Sequence, residues 1–399
     1  MIDNLEKNVK AALIQRSVGV ASRYVSAGRH DLAAAIYDEI LETGVDEPAA
    51  LGAVLWNMGV SQTCLERWPE AARTFARLMN EGPAELYDMA HKNYRLASSK
   101  AFAGVSASVT INTNGMWIGA APLRPLKGDW LRRWHKEDYV YTDSALCLLL
   151  ESRVAFPESG RFVFYDVGAN VGMFSLYAAT MPGADVLVQA FEPNPTAFAE
   201  FAVAAEREGV AERVVRHNLA ISDTARDGVR LYTPTAEAPD LSRLDGVHPL
   251  LANGDWTSFM VNVRRLDDLD LPDPHFMKVD VEDHEYQALI GARGRIARSK
   301  PFIFFENWRY GFDFLRTYRP LALLGELGYV LFSPVWRKTV DGHSDWGFAG
   351  PKYGEDLNRY RLYLNRIDIE TRNDYPENVN VFAIHQDVLP MVERRLAAP

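Results

Sequence analysis

The chain has 399 residues, of which 48% are hydrophobic and 24% charged, and its formal net charge is −10. That length suits two domains with a full-sized core, and the acidic balance excludes a general nucleic-acid or anionic-membrane binder, which needs a basic face. Cys64 and Cys147 make neither a disulfide framework nor a metal-ligand spacing, residues 1–10 are too polar for a signal peptide, and no apolar run approaches the roughly 20 residues of a membrane span; a cytoplasmic protein is expected.

Residues 1–105 read as helices, because glycine and proline are sparse and apolar residues recur at three- and four-residue spacing. Two segments match at one offset of 38: Ala21 with Gly59, Arg29 with Arg67, Ala33 with Ala71, Tyr37 with Phe75 and Gly44 with Gly82. Small residues let two antiparallel helices approach, and the aromatic ring fills the groove between copies. Tyr24, Gly28, Ala33 and Tyr37 make this region resemble tetratricopeptide repeats, with a capping helix over 86–103. An unrelated helical bundle is the alternative. Residues 106–160 form a linker or substrate-side segment, with a β-rich stretch around Asn114-Gly115, an aromatic group of Trp130, Trp134, Tyr139 and Tyr141, and a helix over 144–155.

From residue 161 to 399 strands alternate with helices, the pattern of a parallel sheet covered on both faces. Strands are expected over 162–167, 185–191, 214–218, 276–280, 301–306, 329–333 and 380–385, and helices over 171–180, 195–207, 285–298 and 314–327. The stretch 334–376, with Trp336, His343 and Trp346, is long for a structureless loop and reads as a lid or binding loop.

The chemistry sits at strand ends, where open α/β sheets bind ligands. The first strand ends in Asp166-Val167-Gly168-Ala169-Asn170-Val171-Gly172, and its glycines allow close approach of backbone. Phe191-Glu192-Pro193 ends the next strand with a carboxylate able to accept from both ribose hydroxyls. A nicotinamide binder shares that acid but carries a fuller G-x-G-x-x-G loop, and here Asn170 stands at the middle glycine. A third motif is Lys278-Val279-Asp280-Val281-Glu282-Asp283-His284-Glu285.

Together these motifs resemble those of FkbM-type methyltransferases, a D-x-G-A-N-x-G turn followed by K-x-D-x-E-G-x-E, with Asp283 where the family has glycine. The resemblance covers residues 140–310 well. It implies a class I, Rossmann-like α/β fold with a seven-stranded sheet whose last strand is antiparallel, and S-adenosyl-L-methionine as cofactor. It further implies that Asp166, Gly168, Ala169, Asn170 and Gly172 line the methionine end, that Glu192 with Pro193 holds the ribose, and that His217, Asn218 and Ala220 lie by the adenine. Asp280 and Glu282 would stand beside the transferring methyl, with His284 as a candidate general base and Asp280 also touching cofactor.

Each assignment has a plainer rival. Asp166 can be a helix N-cap, Glu192 a solvated carboxylate, and His217 a surface histidine. Asp280 and Glu282 can act as a base, hold a divalent cation or organise the next helix, and His284 can be structural; no metal is assigned. Glu306, Trp336, His343 and Trp346 are the candidate substrate contacts, with an ion pair or packing as the rival roles. The expected reaction is O-methylation of a sugar or natural-product hydroxyl, a small-molecule substrate. The alternatives are N-methylation of an amine or guanidine, a nicotinamide oxidoreductase, and a helical-repeat interaction protein with an inactive methyltransferase fold. Self-association or carrier-protein docking is the expected role of the helical segment.

Overall fold

The computed structural model describes residues 2–45, 47–102, 115–118, 140–234, 242–244, 256–308, 314–340, 342–348, 350–351, 356–369, 371–372, 375 and 378–397. The chain divides into two compact units: Met1–Ser106 with Arg309–Phe314, and Ala107–Trp308 with Leu315–Pro399. Trp130, Trp134 and Tyr139 lie outside the described residues, as does Asn114 of the Asn-Gly pair. Among the described residues no helix is long and apolar enough to cross a membrane.

The first unit contains α1 (Ile2–Ser26), α2 (His30–Glu42), α3 (Pro48–Cys64), α4 (Trp68–Glu81) and α5 (Tyr87–Phe102), each packed on the next. The 38-residue offset is visible in the backbone as well as in the side chains. Arg29 N–H donates to Tyr24 O, and Arg67 N–H donates to Gln62 O. Gly28 and Glu66, also 38 apart, both adopt positive φ, +71° and +56°. Both α1 and α3 therefore end in the same left-handed turn, closed by the same six-to-one hydrogen bond. Tyr37 and Phe75 are both fully buried. A Cβ on Gly59 would lie 2.7 Å from the Phe75 ring, so the small residue is required there.

The second unit begins with β1 (Met116–Trp117), α6 (Val140–Glu151), β2 (Phe162–Val167), α7 (Met173–Ala179), β3 (Val186–Phe191), α8 (Pro195–Arg207) and β4 (Val214–His217). It goes on through β5 (Ala220–Ile221), β6 (Arg226–Pro234), β7 (Arg243–Leu244), β8 (Trp256–Arg264), β9 (Phe276–Val279), α9 (Glu285–Gly291) and α10 (Arg293–Ser299). Last come β10 (Phe302–Trp308), α11 (Phe314–Glu326), β11 (Tyr329–Val340), β12 (His343–Gly347), β13 (Tyr360–Ile367), β14 (Asn378–His385) and α12 (Leu389–Ala397).

The main sheet runs β1-β13-β11-β14-β10-β9-β2-β3-β4, with β12 beside β11. From β10 to β4 the neighbours are parallel, while β14 is antiparallel to both β10 and β11. All six residues of β2 are buried, as a strand covered on both faces requires. Its alternate residues feed two cores. Phe162 and Phe164 pack with Phe174, Phe201 and Phe276 on one side; Val163, Tyr165 and Val167 pack with Met277, Leu289 and Phe305 on the other.

Each of the seven expected strands is present, and among the described residues the sheet has ten. The extra strands come mainly from the stretch read as a loop. β11 continues through Trp336 to Val340 and pairs antiparallel with β12 and β13. A second sheet, β5-β8-β6-β7, is inserted between β4 and β9. The single helix expected over 285–298 is two short ones, broken at Ala292. Gly291 faces the Ser222 carbonyl so closely that a Cβ would meet it at 2.0 Å.

Trp336 thus belongs to the core: it is 3% exposed and packs edge-on to Tyr360, with ring centroids 6.2 Å apart. Trp336→Ala is expected to destabilise the fold by roughly 3–5 kcal/mol, the usual loss for emptying an aromatic site. Urea unfolding of the full chain measures it, and an unchanged midpoint would refute the core assignment.

Candidate active site

A cavity of about 330 Å³ opens at the carboxyl ends of β2, β3, β9 and β10, within the size range of small-molecule sites. Its floor is the turn after β2. There Gly168 and Asn170 adopt φ of +78° and +50°, conformations that glycine and asparagine tolerate best. A Cβ on Gly168 would stand 1.7 Å from the Asp280 carbonyl, and one on Gly172 would stand 2.1 Å from the Phe201 ring. The glycines therefore serve the packing of neighbouring elements. Gly168 still lines the cavity with Ala169 and Asn170, whereas Gly172 does not.

Glu192 ends β3 and is 7% exposed. Its carboxylate accepts from Asn170 N–H and from Asn194 N–H, both at 2.7 Å. One donor comes from the turn after β2 and the other from the start of α8, so the carboxylate joins two strand tips. Each oxygen keeps a further lone pair for an incoming hydroxyl. Burial pushes the Glu192 carboxyl up to about 7, against the pull of those two donors. Behind it, Asn218 donates to the Glu192 and Pro193 carbonyls at 2.8 and 3.1 Å. His217 stacks on Phe191 and contacts Gln189 at 2.7 Å. Glu192, Pro193 and Ala220 line the cavity, while His217 and Asn218 support it from outside.

Asp166 is fully buried and absent from the cavity wall. One oxygen accepts from the Ser175 hydroxyl at 2.6 Å and from Ser175 N–H at 3.1 Å, gripping α7. The other faces Lys278 Nζ at 3.6 Å, and burial holds the carboxyl above the usual range despite that cation. The expectation of direct cofactor contact therefore meets a side chain enclosed by protein.

Lys278, to which the sequence reading assigned no role, lines the cavity at 5% exposure. Its Nζ donates to Gly168 O at 2.6 Å and lies 3.4 Å from Asp280 Oδ2. The available signal was a lysine inside an apolar four-residue strand, where a buried charge needs partners.

Beyond Lys278 the wall becomes acidic. Asp280, Glu282, His284 and Glu306 line it, with Asn378. Glu282 and Asp283 both adopt left-handed φ, +51° and +75°, and Asp283 pairs with Arg316 at 3.1 Å. His284 Nε2 lies 2.9 Å from Ser222 Oγ. Carboxylate oxygens of Asp280, Glu285 and Glu306 fall within 4.8 Å of one another. Burial followed by mutual repulsion raises Glu282 well above its ordinary range, and Glu306 to about 7. Glu285, 5% exposed and accepting from Val281 N–H at 3.0 Å, is raised to about 8, again first by burial.

Trp336, His343 and Trp346, expected as substrate contacts, do not line the cavity. Trp336 is in the core. His343 and Trp346 lie on β12, where Trp346 packs against Trp117 and Tyr363 with centroids 5.4 and 5.8 Å apart.

A family profile described as the Methyltransferase FkbM domain matches residues 166–331, from the Asp166 turn through β10 and into β11. Over that stretch the chain is similar to the FkbM methyltransferase domain. The 31-O-demethyl-FK506 methyltransferase FkbM of Streptomyces tacrolimicus is 47% identical over 88 residues, 22% of this chain and 30% of the relative. The hexuronic acid methyltransferase AglP of Haloferax volcanii is 29% identical over 130 residues, 32% of this chain and 49% of the relative. The chain thus spans less than half the length of either relative. The crystal structure of Methyltransferase FkbM from Methylobacillus flagellatus KT overlaps 79% of this chain and 62% of its own at 15% identity, with a TM-score of 0.33. At that score no detail transfers.

The raised carboxyls around this cavity give the fold a definite pH dependence. A folded-state pKa above the unfolded value contributes stability at low pH that is lost as pH rises through the folded pKa. Without ligand, the unfolding temperature should fall as pH rises from about 5 to about 8, between the ordinary carboxyl value and the raised ones. Glu285→Gln, which keeps the acceptor for Val281 N–H but cannot ionise, should flatten that decline. An equally steep decline in the variant would contradict the raised Glu285 pKa; differential scanning fluorimetry reads both.

Proposed function

We propose that the protein is an S-adenosylmethionine-dependent O-methyltransferase acting on a hydroxyl of a sugar or natural product. The observation that carries this reading is Glu192, joined by a backbone donor to the glycine turn in a cavity that Asp280, Glu282 and His284 also line. The two relatives support the substrate class by their names, one acting on a demethylated FK506 and the other on hexuronic acid.

The residues present suit the cofactor. Glu192 has unused lone pairs for ribose hydroxyls, and Gly168, Ala169 and Asn170 offer a close backbone surface. Leu219, Ala220 and Ile221 give an apolar wall beside β4 for a purine. When bound, the cofactor supplies an electrophilic methyl group. The chain's own work is then positioning, which accounts for several kcal/mol of such barriers, and proton removal from the acceptor. Asp280, with 41% of its side chain exposed, is the proposed proton acceptor; Glu282 and His284 complete the catalytic group, and Glu306 orients the substrate. Asp166 acts through the turn it braces.

A nitrogen acceptor is the second reading, favoured by one observation. Asp280, Glu282 and Glu306 share one end of the cavity, a wall that attracts an ammonium or guanidinium group. Residues 1–105 are proposed as a tetratricopeptide-like domain that docks a carrier protein or a second copy of the chain. Residues 161–399 are proposed as the catalytic domain, working in glycan or natural-product biosynthesis in the cytoplasm.

Titration calorimetry with S-adenosylhomocysteine tests the cofactor site. The full chain should bind it and ignore NAD, and Glu192→Ala should weaken binding roughly 10–100-fold, as for loss of charge-assisted hydrogen bonds. Binding of NAD instead, or an unchanged affinity in the variant, would overturn the reading. Incubation with labelled cofactor and a pool of hydroxylated and amino acceptors, followed by mass detection, separates the oxygen and nitrogen alternatives.

A further inference from the structure

We propose that Lys278 is a positioning residue that ties the glycine turn after β2 to the acceptor-side carboxylate Asp280, an inference that rests on reading this cavity as a methyl-donor site. The register puts it there. Lys278 on β9 stands directly opposite Asp166 on β2, and both occupy the face that Phe164 and Phe276 fill elsewhere. Two facing strands thus replace apolar residues with opposite charges at one level of the core.

Three oxygens surround its ammonium, which has three donors and no acceptor. Nζ donates to Gly168 O at 2.6 Å and lies 3.4 Å from Asp280 and 3.6 Å from Asp166. The Phe174 ring is 5.5 Å away. The charged groups that act on this cluster are Asp166 on β2, Asp280 on its own strand and Glu192 at the tip of β3, with Glu306 on β10 beyond Asp280.

The backbone already joins the two tips on one side. Asp280 N–H donates to Val167 O at 3.0 Å, and the Gly168 Cα lies against the Asp280 carbonyl. Lys278 closes the other side through side-chain atoms. The donor turn and Asp280 therefore keep a fixed separation, which a near-attack geometry demands. The charge balance matters too. One ammonium between two carboxylates leaves the cluster one unit negative, complementary to a sulfonium ligand.

The role has a pH signature that general packing lacks. Asp166 needs the ammonium only when ionised, so Lys278→Met should be tolerated best where Asp166 is protonated. The ratio of wild-type to Lys278→Met affinity for S-adenosylhomocysteine, measured by calorimetry on the full chain, should rise with pH as Asp166 ionises, by roughly tenfold for one pKa unit of coupling. The double variant Asp166→Asn with Lys278→Met should remove that pH dependence while staying weaker than wild type, because Gly168 O still lacks its donor. Lys278→Arg, which keeps the charge, should recover part of the affinity. A pH-independent ratio in the single variant overturns the proposal, as does wild-type affinity in the double variant. If Lys278→Met does not fold, a double variant that folds and still shows a steep ratio overturns it as well. Failure of the unmodified chain to bind S-adenosylhomocysteine would sink the methyl-donor reading alone. The tie would then be judged by unfolding temperatures, where the gap between wild type and Lys278→Met should widen with pH and lose that dependence in the double variant.

Discussion

Between β2 and β9 the parallel sheet buries an ion pair on the face where its other residues are phenylalanines. An ammonium and a carboxylate removed from water cost several kcal/mol each unless their hydrogen-bonding capacity is met. Asp166 spends one oxygen on the first turn of α7, and Lys278 spends one proton on the Gly168 carbonyl. The two charges therefore set the strand register, the angle at which α7 leaves and the course of the glycine turn. Glu192 then fastens the same turn to β3 from the opposite side. The cavity exists because three strand tips are locked to one another below it.

Much of this was legible in the sequence, for identifiable reasons. The segment Phe162–Val167 reads as a strand buried on both faces because it is apolar without alternation, and glycines mark its exit. Glu192 stands out as an acid at the end of a similar strand. What sequence patterns do not carry is which side of a wall a residue occupies. Asp166 and Glu192 look alike on paper, yet one is sealed under the turn and the other reaches the cavity. The same limit applies to Gly172, whose missing Cβ makes room for Phe201 and not for a ligand.

The stretch after Ser333 was misread for a different reason. Its strands are antiparallel additions at one edge, separated by turns and rich in charge, and they lack the apolar run that signals a central strand. Trp336, His343 and Trp346 were grouped as aromatic binding residues, but strand alternation sends neighbours to opposite faces. Arg337 and Lys338 hid the burial of Val335 and Trp336 on the two faces of the strand. The small sheet between β4 and β9 was missed likewise. β5 and β7 have two residues each, and a register shift interrupts the pairing of β6 with β8, which lie far apart along the chain. In the helical unit, by contrast, the offset of 38 persists down to individual backbone hydrogen bonds, and Glu66 keeps the left-handed turn that Gly28 adopts without strain.

The pair Glu282 and Asp283 carries a last consequence. Two successive residues with side chains sit in left-handed backbone, at a cost of order 1 kcal/mol or more each, where a glycine at 283 would relax freely. Asp283 instead reaches Arg316 in the first turn of α11. A loop that glycine would leave slack is in this way put on a tether, and the cavity rim inherits the motions of that helix. Displacing the start of α11 would drag Glu282 and His284 with it, so the timing of events at the rim becomes a property of a helix that never touches the cavity.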